Sequence, residues 1–333
     1  MDREETRLRR SPFRMREEPL ASYLTQLTCA LGGSHCADLR VYPVRAPYFN
    51  ANMAPNGTMQ VWSGLLLRVE NEAQLAAVIG HEIGHYLRRH TLEMMRDLKS
   101  RSALGTFLGM FGLVGLVGQL ANAAGMMAFS RDKEREADRI SLLLMRGAGY
   151  DTREASRVWA NLLAEMKATP GADPTRTSVL FASHPPSDER RQTLEQLGSA
   201  TGGRTGEAEF RAVLAPLRYG LLEDELKRDR PFESVALLGR LLEREPGQPE
   251  LQYFRGEALL KRGQDGDVDL AMLDLHAAAD SGRAPPTTHR ALGFALKRRE
   301  DRPAARMAFQ RYLDQAPAAP DAALIQQSIE ELK

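Results

Sequence analysis

The run His81-Glu82-Ile83-Gly84-His85 places two histidines four residues apart with a glutamate beside the first. On a helix, that spacing stacks both imidazoles on one face with the carboxylate next to them, which is the front half of a zinc hydrolase site. Helical geometry is supported locally. Asn71 followed by Gln74 resembles a capping box, and apolar residues recur at Leu75, Val78, Ile79, Ile83 and Leu87, the period of a helix with one buried face. The pattern predicts a helix that starts after Asn71 and runs on to about Lys99.

A catalytic zinc site needs three protein ligands and one open position. If the third ligand came from the metzincin spacing, a glycine at 88 and a histidine at 91 would be required; the chain has Arg88 and Thr91. His90, one residue short, reads as a solvated helix residue. The remaining source is Arg131-Asp132-Lys133-Glu134-Arg135-Glu136-Ala137-Asp138, with Glu134 as the natural candidate. On a helix Glu134 and Glu136 lie about 200° apart around the axis, so only one of them can face a metal. Asp138, four residues after Glu134, shares its face and is placed to accept a hydrogen bond from the outer nitrogen of a ligating histidine. Glu136 then points elsewhere, to a surface arginine.

Three ordered blocks resemble the M48 peptidases: His81-Glu82-Ile83-Gly84-His85, then Glu134-Arg135-Glu136-Ala137-Asp138, then His184-Pro185-Pro186-Ser187-Asp188-Glu189-Arg190. Asn50-Ala51 before an apolar strand and Gly64-Leu65-Leu66 after it fit as well. The likeness covers roughly residues 1 to 200. It implies that His81, His85 and Glu134 bind one Zn2+ per chain and that Glu82 is the general base. Two imidazoles and one carboxylate suit zinc better than calcium or magnesium, which prefer oxygen shells. The resemblance also sets His184 near the metal, either donating to an oxyanion or occupying the open position in a resting state. A histidine before two prolines has a plainer use as well, closing a helix-capping turn. Arg190 either adds positive charge at the oxyanion or holds its loop through a carboxylate.

The implied fold class is α+β and predominantly helical: a zincin-like protease domain with a small β-sheet over 1–202, followed by an all-α, tetratricopeptide-like domain over 203–333. Within the first, Arg40 to Leu67 reads as a β-hairpin, with Val41, Val44, Tyr48 and Phe49 before an Asn56-Gly57 turn and Met59, Val61 and Trp62 after it. In metalloproteases of this general build an edge strand beside the zinc helix binds substrate in extended form through its main chain; the alternative is an ordinary core hairpin. Ala103 to Phe129 carries no charge and six glycines at 105, 109, 112, 115, 118 and 125. Its length suffices to cross a bilayer, yet a single span would part His81 and His85 from Glu134. A re-entrant or buried helical pair over the cleft is the better account, with peripheral membrane contact through 103–129 as a variant.

After Gly203, Leu292-Gly293, Ala305, Phe309 and Pro317 fall at the spacing of a tetratricopeptide repeat. Gly256 with Ala258 is a weaker echo one repeat earlier, and Leu238 to Pro246 ends a weaker one still. Stacked helix pairs make a concave surface for a protein partner; the simpler alternative is a cap on the protease domain. A net charge of +1 and the lack of a basic stripe argue against nucleic acid. The first eighteen residues, dense in charge of both signs, are neither a leader nor an anchor, which taken literally says cytoplasm. The resemblance points instead to the periplasm or cell envelope, with a leader missing from this chain. Cys29 and Cys36 are either a disulfide of an oxidising compartment or two thiols in a core.

The expectation is a zinc-dependent endopeptidase acting on protein or peptide substrates, its repeat domain recruiting a protein, in envelope quality control. The rivals are a chaperone or adaptor with a latent zinc site, and an integral membrane protease of the HtpX kind.

Overall fold

The computed structural model describes residues 2–97, 129–173, 180, 184, 188–198 and 202–332. The stretch 98–128, where membrane contact and a cleft-covering helical pair were expected, lies outside them. The chain folds as two compact units, Met1–Leu221 and Leu222–Lys333.

The first unit begins with helices α1 (Asp2–Arg10) and α2 (Glu18–Gly32), a 3-10 turn over Gly33–Asp38, strand β1 (Arg40–Val44), strand β2 (Ala51–Met53) and strand β3 (Thr58–Trp62). Helices α3 (Ser63–Arg68), α4 (Glu72–Leu87), α5 (His90–Asp97), α6 (Arg131–Gly147), α7 (Glu154–Lys167), α8 (Asp188–Leu197) and α9 (Glu207–Leu214) follow. Helix α10 (Arg218–Lys227) spans the division.

Helix α4 is the spine of this unit. Asn71 caps it, its side chain accepting from the Gln74 amide at 2.9 Å, and Gln74 reaches back to accept from the Glu70 amide at 3.0 Å. Every residue from Glu72 to His85 is buried, the mark of a helix packed on all sides. Helices α2, α6 and α7 and strand β2 all pack against it. The expected continuous helix to Lys99 is corrected here. Helix α4 stops at Leu87, Arg89 adopts φ 57°, and α5 restarts at His90. A left-handed residue cannot continue an α-helix, so the chain turns.

The hairpin expectation is corrected in part. The Asn56-Gly57 turn joins β2 to β3 in antiparallel register, Asn52 opposite Gln60, but β3 is central and β1 pairs with it in parallel, Val41 opposite Met59. Tyr48 and Phe49 lie outside the strands. The outer side of β1 is taken by the segment at 13–15: Met15 donates to the Pro43 carbonyl at 3.0 Å, and Arg45 donates to that of Phe13 at 2.7 Å. On the other side, Trp62 N–H bonds to Asn50 and Ala54 N–H to Thr58. Alternation along an antiparallel ladder therefore turns the main-chain groups of Ala51 and Met53 outward, to an edge with no partner strand among the described residues.

Glu5 locks α1 to the sheet, its carboxylate accepting from Arg40 at 2.8 Å, Tyr42 at 2.9 Å and Thr58 at 2.8 Å. Cys29 and Cys36 form a disulfide, with 4.5 Å between Cα atoms, tying the end of α2 to the 3-10 turn. The unit also extends past the expected boundary at 202. Arg204 bonds to the backbone of Gly149 and Asp151, its guanidinium lies 4.4 Å from the centre of the Tyr150 ring, and Thr205 accepts from the Ala73 amide at 2.9 Å. Those bonds fasten Arg204 to the turn between α6 and α7 and Thr205 to the start of α4, and Phe210 on α9 then packs near Tyr23.

The second unit is helical: α11 (Pro231–Arg244), α12 (Pro249–Arg262), α13 (Asp267–Asp280), α14 (Thr287–Arg298), α15 (Arg302–Gln315) and α16 (Ala322–Glu331), each packed on the next. Gly293 in α14 abuts the Phe309 ring of α15, and Gly256 in α12 abuts Leu275 of α13. Both pairs therefore close by the same device, a glycine accepting a large side chain. Arg255 grips Asp274 with two bonds of 2.6 and 2.7 Å, which further locks α12 to α13.

Two outcomes follow from this packing. Bonding from Arg40 first, against burial, holds the Glu5 carboxyl down from 4.5 to about 2. A depressed acid stabilises the fold above its unfolded value and loses that contribution as pH falls through the folded one. The gap in urea midpoint between wild type and Glu5→Gln should therefore be widest near neutral pH and shrink steadily from pH about 5 to about 2.5, read by the fluorescence of Trp62 and Trp159. A Cβ on Gly293 would sit 2.4 Å from the Phe309 ring, so Gly293→Ala should destabilise the second unit by about 1–3 kcal/mol. Circular dichroism should show that loss while the tryptophan transition of the first unit stays put.

Candidate metal centre

The centre is assembled where α4 crosses α6. Gly80 and Gly84, on the face that carries His81 and His85, meet Ser141 and Ala137. A Cβ on Gly84 would lie 3.0 Å from the Ala137 backbone, and one on Gly80 would lie 3.0 Å from Ser141 Oγ. Ser141 Oγ donates to the Ala77 carbonyl at 2.7 Å across the same contact. This close approach carries Glu134, one turn before Ala137, onto the two imidazoles.

The structure brings together His81, His85, Glu134 and His184, all buried, with one donor atom from each within 4.8 Å of the others. The Nε2 atoms of His81 and His85 are 3.1 Å apart. Glu134 places Oε2 3.5 Å from His81 Nε2 and Oε1 3.3 Å from His85 Nε2. His184 Nδ1 is 3.0 Å from Glu134 Oε1 and 3.3 Å from His81 Nε2. Zinc bonds of about 2.0–2.1 Å in a tetrahedron imply ligand separations of about 3.3 Å, and these spacings match. Electrostatics favour the same fit. Asp138 lies 2.8 Å from His81 Nδ1, an acceptor that fixes the proton on that nitrogen and aims Nε2 at the shared point. Against burial, Glu134 and Asp138 together favour positive charge at His81, the charge that a divalent ion between these groups would supply.

Around this set the remaining site residues fall into order. Asp138 and Glu134 share a face of α6, and Arg190 on α8 clamps both: Nε and Nη2 to Asp138 at 2.6 and 2.9 Å, Nη1 to Glu134 at 2.7 Å. Its guanidinium also lies 4.9 Å from the centre of the Trp159 ring. Arg190 is thus engaged with carboxylates. Burial alone would raise Asp138, but the Arg190 charge and the bond from His81 hold it at about 2. Burial likewise opposes ionisation of Glu134, yet His184, Arg190 and His81 hold it well below the ordinary carboxylate range. Burial disfavours a charged His81, but Glu134 and the bond to Asp138 outweigh it and lift this group to about 9. Glu82 differs. Burial pushes its carboxyl up despite His184 and His81, and its Oε1 stands 3.7 Å from His184 Nε2 with no hydrogen-bond partner among the described residues. Such an orphaned carboxylate oxygen has free capacity to accept a proton.

Glu136 points away from the cluster to Arg88, at 2.6 Å, and to His90 Nε2, at 3.1 Å. The reading of His90 as solvated is corrected: it is 3% exposed, with Nδ1 3.0 Å from His85 Nδ1. In an unbroken helix, residues five apart point about 140° away from each other, so a regular helix hid this contact. Two more neighbours went unread. Phe129 stacks on the His85 ring at 4.0 Å between centroids, and Trp159 meets His81 edge-on at 6.0 Å. No periodicity marks either, because both come from segments distant in the chain.

Residues 15–197 match the model of peptidase family M48. Among curated relatives, the metalloprotease YcaL of Escherichia coli is 33% identical over 151 residues, 44% of this chain and 56% of that protein. The mitochondrial metalloendopeptidase OMA1 of Arabidopsis thaliana is 38% identical over 122 residues, 37% of this chain and 25% of the relative. The beta-barrel assembly-enhancing protease of E. coli is 30% identical over 147 residues, 40% and 29% respectively. These alignments span from a quarter to just over half of each relative's length. The family match covers more than half of the chain and contains both helices that build the histidine and carboxylate cluster, so this protein belongs to peptidase family M48.

Proposed function

We propose that this protein is a zinc-dependent metalloendopeptidase that hydrolyses peptide bonds of protein substrates, with His81, His85 and Glu134 as metal ligands. One observation carries the reading: donor atoms of His81, His85 and Glu134 converge to within 3.1–3.5 Å of one another beside the Glu82 carboxylate, whose Oε1 has no hydrogen-bond partner among the described residues. A zinc ion held there supplies Lewis acidity toward a carbonyl and makes a water near neutral pH a ready proton donor. Glu82 accepts the proton of the attacking water and passes it to the leaving amine. Asp138 keeps the proton of His81 on Nδ1, and Arg190 holds Asp138 and Glu134 in place. The outward main-chain groups of Ala51 and Met53, on a strand that packs against α4, suit pairing with an extended substrate, which recognises backbone rather than one side chain.

A specific contact favours restraint. His184 Nδ1 sits inside the ligand set, where it would fill the position that substrate needs, so the geometry suits a resting state released when His184 withdraws. The second unit suits a tetratricopeptide-like role, holding a protein partner on stacked helix pairs. The Cys29–Cys36 disulfide suits an oxidising compartment. Together with the likeness to a protease named for enhancing β-barrel assembly, it supports a place in the cell envelope and a part in protein quality control there. None of the described helices is long and apolar enough to cross a membrane.

Purified protein should carry one zinc per chain by elemental analysis and lose casein hydrolysis on chelation. Glu82→Gln should cut turnover by about two to four orders of magnitude while keeping its metal; zinc loss or near-normal turnover in that variant would overturn the assignment. His184→Ala should raise hydrolysis on the order of tenfold by removing the blocking group. A fall in rate would instead make His184 an oxyanion donor.

A further inference from the structure

Helix α4 ends at Leu87 and the chain reverses through Arg89 at φ 57° before α5 opens on His90. That reversal folds His90 back against the residue five positions earlier. Its ring is 3% exposed, Nδ1 is 3.0 Å from His85 Nδ1, and Nε2 is 3.1 Å from Glu136 Oε2. Arg88 holds the other carboxylate oxygen of Glu136 at 2.6 Å.

With both rings neutral, the form that burial favours, the protons of this relay have one arrangement without a clash. A carboxylate only accepts, so His90 must carry its proton on Nε2 to bond Glu136. Its Nδ1 is then a bare lone pair and accepts from His85 Nδ1–H. With that proton placed, His85 Nε2 is left bare and faces the point shared by His81 Nε2 and Glu134. The opposite tautomer of His90 would set its lone pair against the Glu136 carboxylate and leave a proton on His85 Nε2.

We propose that His90, aligned by Glu136 and Arg88, is a positioning residue that fixes the tautomer and ring orientation of His85 for metal binding. The inference rests on the zinc-site reading above. It gives the two residues their separate supports: a carboxylate, Asp138, behind His81, and a relayed imidazole behind His85. It also assigns a use to Glu136, which lies too far around α6 to reach the metal. Outer partners of ligating histidines are worth about 10- to 100-fold in metal affinity.

Zinc affinity measured by competition with a chromogenic chelator tests this in the full chain, together with the circular dichroism of each variant. Wild type should bind one zinc. His90→Leu, which keeps the bulk but loses the acceptor, should bind about 10- to 100-fold more weakly. His90→Asn, whose side-chain oxygen can take the place of Nδ1, should recover affinity to within about threefold of wild type. Glu136→Ala, at a position 37% exposed, should weaken binding in the same direction, and combining it with His90→Leu should add little. Because that site is partly solvated, the single change reports even if His90→Leu fails to fold. Unchanged affinity in a folded His90→Leu or in Glu136→Ala overturns the proposal, as does an Asn variant as weak as Leu. If wild type itself binds no zinc, the metal-site reading falls first and the relay with it.

Discussion

The close crossing of α4 and α6 is the contact from which the centre follows. Gly80 and Gly84 leave room for Ser141 and Ala137 at near-minimum backbone distance, and Ser141 ties the two helices across the gap. A side chain at either glycine would push α6 outward by a few tenths of an ångström. Glu134 would then leave the distance at which its two oxygens address His81 and His85. The spacing of the candidate ligands is a consequence of helix packing, because neither helix can move without carrying its histidines or its carboxylate along.

Such an arrangement concentrates charge in the interior. Glu82, Glu134, Asp138 and Arg190 are all buried beside three histidines, and isolated burial of any one would be costly. The arrangement is tolerable because each charge has a counterpart. Arg190 answers Asp138 and Glu134 at once, and Trp159 shields its face. Glu82 Oε1 and Glu134 Oε2 have no hydrogen-bond partner among the described residues, but Glu134 is ion-paired to Arg190 at 2.7 Å whereas His184 Nε2 stands 3.7 Å from Glu82 Oε1. Glu82 is thus the more weakly compensated of the two.

Much of the centre was legible in the chain itself. The four-residue spacing of His81 and His85, and the shared face of Glu134 and Asp138, are properties of a helix alone. The Asn71 cap and the Asn56-Gly57 turn were also readable, since both depend on side chains bonding to nearby backbone. What escaped was of another kind. The parallel pairing of β1 with β3 joins strands separated by an intervening one, and no local pattern encodes it. The end of α4 at Leu87 was masked by good helix formers on both sides, and with it the burial of His90. The boundary beyond 202 depended on Arg204 and Thr205 bonding to elements far upstream.

The sequence by itself determined the family of chemistry, because residue type and helical spacing are local facts: two imidazoles four apart, a neighbouring carboxylate and a second acidic helix suffice to mark an M48 peptidase. It also determined a helical second unit, whose glycine and large apolar positions recur along the tail. Tertiary structure alone decided which carboxylate faces the histidines, where Arg190 reaches, and that His90 stands behind His85. The physical reason is that these depend on distances between segments brought together by packing, and only a folded core sets such distances.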